Sequence, residues 1–152
     1  MKDTLRIQQV HYTDAIEAIQ SIRRQVFQIE QGVSPELEFD GEDEAATHFL
    51  AYQGEEAIGT ARIRYLKIDE DQNLPIAKIE RVAVLGRYRG QGIGQQLMEV
   101  AIAHLSCRGI TAIKINAQLQ VQPFYERLGF STYGSVFEEA GIPHIEMRYS
   151  IK

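Results

Sequence analysis

The segment Arg87-Tyr-Arg-Gly-Gln-Gly-Ile-Gly94 is the part of this chain best suited to hold a ligand. Gly90, Gly92 and Gly94 allow a tight bend and a close ligand approach with no Cβ in the way. The segment sits between a strand-like and a helix-like stretch. The free N–H groups and positive dipole end of a first helical turn would then suit a phosphate. Arg87 and Arg89 add mobile positive charge. A tight turn with a solvated arginine pair is the plain alternative. The spacing is not that of a Walker loop, because no Gly-Lys-Ser/Thr follows. Nor does it fit a dinucleotide fingerprint, since the loop comes late and no acidic ribose ligand ends a following strand. His144, just after Pro143 at the entry to a late strand, is a titratable candidate, with a capping or loop role as the alternative. His48, His104 and His144 lack a metal-ligand spacing, so no metal is expected.

Positioning these groups requires a scaffold. Residues 5–10 alternate as a first strand. Asp14 with Glu17 resembles a capping box. Ile16, Ile19, Ile22 or Arg23, and Val26 recur at helical spacing, with Phe27 widening the stripe. Gly32 and Pro35 end that helix. Residues 35–44 hold six acidic side chains and no basic one, and read as a loop or short helical excursion of solvated surface. Attraction of a cationic amine is its second reading. Residues 48–53 and 57–66 flank Gly54-Glu55 as a hairpin. A polar loop over 67–75 ends in Pro75, and a strand follows over 76–84. From Ile93 the period turns helical through Leu97, Ala101 and Leu105, closed by Gly109. Cys107 in this helix reads as buried structure, not as a nucleophile. A strand from Thr111, a helix over 121–128 and two late strands, 130–133 and 145–151, complete the chain around a linker that holds Pro143. The order β-α-β-β-β-α-β-α-β-β predicts one α/β domain over 1–152, a mixed β-sheet with helices on both faces.

Composition narrows the functions. At 152 residues the chain fits one core. A net charge of −5 and a pI near 5.4 argue against a nucleic-acid partner, which needs a basic stripe, but leave room for a local basic pocket. Cys107 is the single cysteine, so there is no disulfide framework. No apolar run reaches the roughly 20 residues of a membrane span. A cytoplasmic protein without a membrane partner is expected, and a homodimer is left open.

Arg89-Gly-Gln-Gly92-Ile-Gly94 matches the Arg/Gln-x-x-Gly-x-Gly/Ala signature of the GNAT superfamily of N-acetyltransferases, which the chain therefore resembles. Glu80-Arg-Val-Ala-Val84 is similar to that family's fourth strand, and Phe124-Tyr-Glu-Arg-Leu-Gly-Phe130 to its segment after the fifth. The order and spacing of the three agree with the family over nearly the whole chain. Arg24-x-Val-Phe-x-x-Glu-Gln, Gly141-Ile-Pro-His144 and Met147 further resemble the bacterial ElaA-like branch.

The resemblance implies a GNAT-like sheet with splayed central strands, and acetyl-CoA as co-substrate. Backbone N–H groups of Arg89, Gly90, Gln91, Gly92, Ile93 and Gly94 would cradle the pyrophosphate, with Arg87 nearby. The Val82-Ala83-Val84 backbone would pair with the pantetheine arm, and Asn116 would lie beside it. Tyr125 would protonate the departing thiolate; without the resemblance it would read as a core tyrosine. Glu80, in the strand leading to the splay, and His144 are the candidate bases, and burial is expected to raise the Glu80 pKa. A structural salt bridge is Glu80's other reading, with Arg81 reached only indirectly because adjacent strand residues face opposite ways. Arg24, Gln28, Glu80 and His144 are candidates for the acceptor site, with Glu30 nearby. The expected reaction is direct acetyl transfer to a primary amine of a small molecule or peptide. A noncatalytic acyl-CoA-binding regulatory domain and an acyl-homoserine-lactone-type synthase are the alternatives.

Overall fold

The structure is a computed structural model that describes residues 4–69 and 74–151, with side chains except at 67–69. Seven strands form one sheet: β1 Leu5–Val10, β2 Thr47–Gln53, β3 Glu56–Asp69, β4 Leu74–Val84, β5 Ala112–Gln118, β6 Ser131–Glu139 and β7 Ile142–Ser150. Their spatial order is β1-β2-β3-β4-β5-β7-β6. All neighbours are antiparallel except β4 and β5, which a helical crossover joins in parallel. Four α-helices accompany the sheet: α1 Ile16–Arg23, α2 Pro35–Glu38, α3 Ile93–Cys107 and α4 Gln122–Arg127.

The four-residue step from Ile93 does build α3. Ile93, Leu97, Met98, Ala101 and Leu105 are its buried face. Gly59 lets the helix approach the sheet, since a Cβ there would lie 3.1 Å from Leu97 Cδ1. Cys107, two residues past Leu105 and off the buried face, is exposed, which corrects its reading as buried. Ile19 and Ile22 of α1 and Val26 just beyond it enter the core, but Ile16 is exposed. The capping box does not form. Asp14 is held inside a 3-10 turn, Tyr12–Asp14, so Ala15 takes the cap position with no side-chain bond. Past Arg23 the helix widens into a π-helix, Arg24–Glu30.

The late strands are longer than their sequence pattern. β6 and β7 meet as a hairpin through Ala140 (φ 53°) and Gly141 (φ 75°) in place of the expected linker. Pro143 lies within β7 opposite Glu138, one residue before β7 begins pairing with β5 at His144. A proline without an N–H is tolerated where only one neighbour needs the ladder. Of the loop expected over 67–75, β3 takes in the residues up to Asp69 and β4 those from Leu74; residues 70–73 lie outside the described residues.

One departure from regular pairing sets up the site. β4 and β5 pair only through Ile76↔Ala112, Ala77↔Ile113 and Lys78↔Lys114. Beyond Lys78, β4 continues to Val84 alongside β3, and β5 continues to Gln118 alongside β7. The sheet therefore splits, and each side of the split presents unpaired backbone.

Candidate active site

The split opens into a cavity of about 900 Å³. Val82, Ala83 and Val84 line one side of it, and Ile115, Asn116 and Gln118 the other. At its end lies the start of α3. Gly92 is the N-cap, at φ 80° and with no side-chain cap, and Gly90 shares that left-handed conformation. The first-turn N–H groups of α3 thus have no intrahelical acceptor and border the cavity at Ile93, Gly94 and Gln95. A Cβ at Gly94 would lie 3.6 Å from the Phe124 ring and 4.0 Å from Val84, so the turn sits close against both. This cradle and split fit a long phosphorylated thioester such as acetyl-CoA. Donors await the phosphates, and a free strand edge awaits an amide-containing arm.

The two loop arginines part company. Arg89 lines the cavity, donating to the Val84 carbonyl at 2.9 Å and pairing with Glu30 at 2.6 Å. Arg87 pairs with Glu56, lies over the Tyr88 ring and is outside the cavity lining. The Gln91 side chain is also outside it.

Tyr125, half-buried on α4, packs edge-to-face on Phe124 and Phe130 at centroid distances of 5.0 and 5.9 Å. Burial pushes its phenol up to about 12. Asn116 donates to Glu139 at 3.3 Å, while its Oδ1 is buried with no partner among the described residues. His144 is buried on β7, its Nδ1 2.7 Å from the Ile142 carbonyl. A carbonyl only accepts, so Nδ1 carries the proton and a neutral ring leaves the Nε2 lone pair free. That Nε2 lies 3.6 Å from Glu139.

Glu80 departs from expectation. It contacts Arg64 directly, with Arg62 at 3.0 Å, Lys78 at 3.4 Å and Arg81 at 3.7 Å. Burial pushes its carboxyl up, but the Arg64 hydrogen bond and the surrounding cations outweigh that, and the net shift is downward. The anticipated raised pKa is therefore overturned. So is the expectation that Arg81 faces away. Thr60 pairs with Ala83 and Arg62 with Glu80, which leaves two β4 residues opposite Ala61 alone. Arg81, at φ 53°, is part of this bulge, and alternation is lost there.

Glu80 and His144 both line the cavity, but the other two acceptor candidates do not. Arg24 is exposed and Gln28 is half-buried, both outside the lining. The functional-looking arginine of α1 is its neighbour Arg23, buried and bonded to Glu38 and Asp43 at the sheet side. A charged residue on the apolar stripe of Ile19, Ile22 and Val26 was the available signal. Asp40 and Asp43 pair with Arg62 at 2.7 and 2.9 Å, so part of the acidic stretch is an internal counter-charge and not solvated surface. Gln118, which donates to Gln31 at 2.9 Å across the cavity, was also missed, because nothing local marks a pairing 87 residues apart. Among the described residues no group of His, Cys, Asp and Glu could hold a metal, and no helix is long and apolar enough to cross a membrane.

A single mixed sheet split between parallel strands, with a glycine-capped helix at the mouth, defines an acyltransferase architecture. The sequence profile of the acetyltransferase (GNAT) domain matches residues 8–151, and the chain belongs to that family. It is 35% identical to the protein ElaA of Escherichia coli over 150 residues, 92% of this chain and 93% of that one. The ElaA crystal structure superposes with a TM-score of 0.81 at 30% identity, covering 97% and 100% of the two chains. An uncharacterized N-acetyltransferase of Bacillus subtilis, YjcF, is 32% identical over 83% of this chain and 86% of its own. An acyl-CoA N-acyltransferase from Pseudomonas aeruginosa superposes with a TM-score of 0.79 at 28% identity, covering 95% and 99%.

Proposed function

We propose that this protein transfers an acetyl group from acetyl-CoA directly to a primary amine of a small molecule or peptide. The observation that carries this reading is the single cavity that joins the open β4 edge, the α3 glycine cap, Tyr125 and His144. Backbone N–H groups of residues 89–94 would hold the pyrophosphate, assisted by Arg89. Arg87, tied to Glu56, would act only at longer range. Val82, Ala83 and Val84 would hold the pantetheine arm, with Asn116 beside it, and a β4 N–H would face the developing oxyanion. His144 Nε2 is the base that takes a proton from the amine. Glu80, held ionised by four cations, is a weaker base and serves to order the acceptor side. Tyr125, which burial keeps protonated, donates a hydrogen bond to the departing sulfur. A thiol-release assay with acetyl-CoA and a panel of primary amines tests the reading. Release that depends on an amine, with N-acetylated product seen by mass spectrometry, is expected. CoA binding without any product would leave only a cofactor-binding domain.

A further inference from the structure

We propose that the acceptor carries a carboxylate close to its amine, as an amino acid does, and that Arg64, Lys78 and Arg81 form the wall that receives it. The proposal deepens the acetyl-transfer reading and rests on it. Five cations, Arg23, Arg62, Arg64, Lys78 and Arg81, are joined by ion pairs to four carboxylates, Glu38, Asp40, Asp43 and Glu80. Burial keeps the neighbouring His48 below its ordinary value, so it adds no anion and little positive charge. One positive charge is therefore left over.

Three of the five cations face the cavity, alongside Glu38, Asp40 and Glu80. Arg23 and Arg62 are fully buried behind the wall, where they pair with Glu38, Asp40 and Asp43. Arg64, Lys78 and Arg81 line the cavity itself. Among the described residues Arg64 and Lys78 have Glu80 as their one carboxylate partner, and Glu80 is shared by four cations. Arg81 supplies an independent sign. Its left-handed backbone, rarely adopted by a side-chain-bearing residue, belongs to a bulge that brings it beside Glu80 on the cavity wall. There its guanidinium reaches the carbonyls of Leu37 and Glu38 and the carboxylate of Asp40. Glu139 lines the same cavity beside His144 and has no ion pair with these five cations. A zwitterionic acceptor would thus turn its amine to His144 and its carboxylate to the arginine wall. A polyamine would set a second positive charge against that wall, which Coulomb repulsion disfavours.

The test compares free amino acids (the common L-series, β-alanine and 4-aminobutyrate) with their carboxamides. Acetyl-CoA-dependent thiol release should favour the acids by about 10- to 100-fold in kcat/KM, the discrimination expected from charge-assisted hydrogen bonds made by one of two matched ligands. Arg81→Gln should collapse that preference. Arg64→Gln, in a more exposed position, gives the same reading if Arg81→Gln fails to fold. A chemistry-free arm titrates the CoA-loaded protein calorimetrically with N-acetylglycine and N-acetylglycinamide. Tighter binding of the acid, lost in the folded variant, is expected. Amides matching acids in both arms, or a preference that survives in a folded variant, would overturn the carboxylate wall while leaving amine acetylation intact. Preferential acid binding with no thiol release from any amine would instead retire the acetyl-transfer reading and keep the wall.

Discussion

At Tyr125 the two demands on an acid pull in different directions. A phenol pushed up to about 12 is always protonated at neutral pH, yet it releases its proton reluctantly. On the proposed reading its work is hydrogen-bond donation to the thiolate, and Tyr125→Phe keeps the packing on Phe124 and Phe130 while removing that donor. Single-turnover acyl transfer should fall about 10- to 100-fold with CoA affinity retained. The penalty should shrink for a donor with a more acidic leaving thiol; an equal loss for both donors would mark a packing role. The same residue gives a stability signature. Because its folded pKa lies above the ordinary value of about 10, the folded chain keeps a proton that the unfolded chain loses. That contribution is complete below pH of about 10 and is lost as pH rises through about 12. Urea melts across this range should fall less steeply with pH for Tyr125→Phe than for the parent. His144→Ala should lower turnover by about 100-fold, with partial rescue by added imidazole. A mutant that imidazole cannot help, with altered thermal stability, would point to a structural ring.

The start of α3 and the split beside it work as one element-level device. Gly92 meets nothing within 4 Å where a Cβ would stand, so its demand is for the φ of 80° and for an unobstructed ligand approach. Gly92→Val should raise the CoA dissociation constant about tenfold or more, since the left-handed conformation alone costs a side-chain-bearing residue about 1–2 kcal/mol. Gly59 makes the contrasting demand. A side chain there would press on Leu97 at 3.1 Å and the Ala83 carbonyl at 3.3 Å. Gly59→Val should therefore lower the unfolding free energy by about 1–3 kcal/mol through overpacking. Calorimetry of CoA binding alongside denaturant melts separates the two. Similar CoA affinities for Gly92→Val and the parent would remove the phosphate cradle from the account.

For the whole molecule, the unusual feature is a charge network sealed between α1, the acidic segment and the sheet. Arg23 is 1% exposed and bonds two carboxylates. Arg23→Ala leaves Glu38 and Asp43 each one cation short, with Arg81 and Arg62 left beside them, and loss of one member of a buried ion-pair network costs about 3–5 kcal/mol. Chemical denaturation should show it. The pH response follows in sign. Burial pushes Asp40 and Asp43 up, but hydrogen bonds and charge from Arg62 and Arg23 outweigh it, leaving both below the ordinary range, as for Glu80. Carboxyls depressed by folding stabilise the protein above their unfolded pKa of about 4 and lose that contribution as pH falls below it. Melting temperature should hold between pH 7 and 5 and drop steeply below about 4, with a shallower drop in a folded Asp40→Asn variant. Parallel acid profiles would exclude Asp40 from the linkage.

Periodicity alone delivered the element order, the apolar face of α3 and the glycine turn that starts it, because a helical or strand repeat is written in neighbouring residues. The family resemblance, not the repeat, singled out Val82 to Val84, Asn116 and Tyr125, and these line one cavity with His144. The local reading erred on the exposure of Cys107 and on the direction of the Glu80 shift, and it did not foresee that Arg24 and Gln28 lie outside the cavity lining. Those depend on partners distant in sequence: Arg23 finds carboxylates 15 and 20 residues away, and Arg62 finds one 22 away. The parting of β4 from β5 after Lys78 and the bulge at Arg81 are likewise set by register between strands. Residue type and spacing determined which groups could do chemistry, while tertiary pairing decided which of them share a cavity and with what charge.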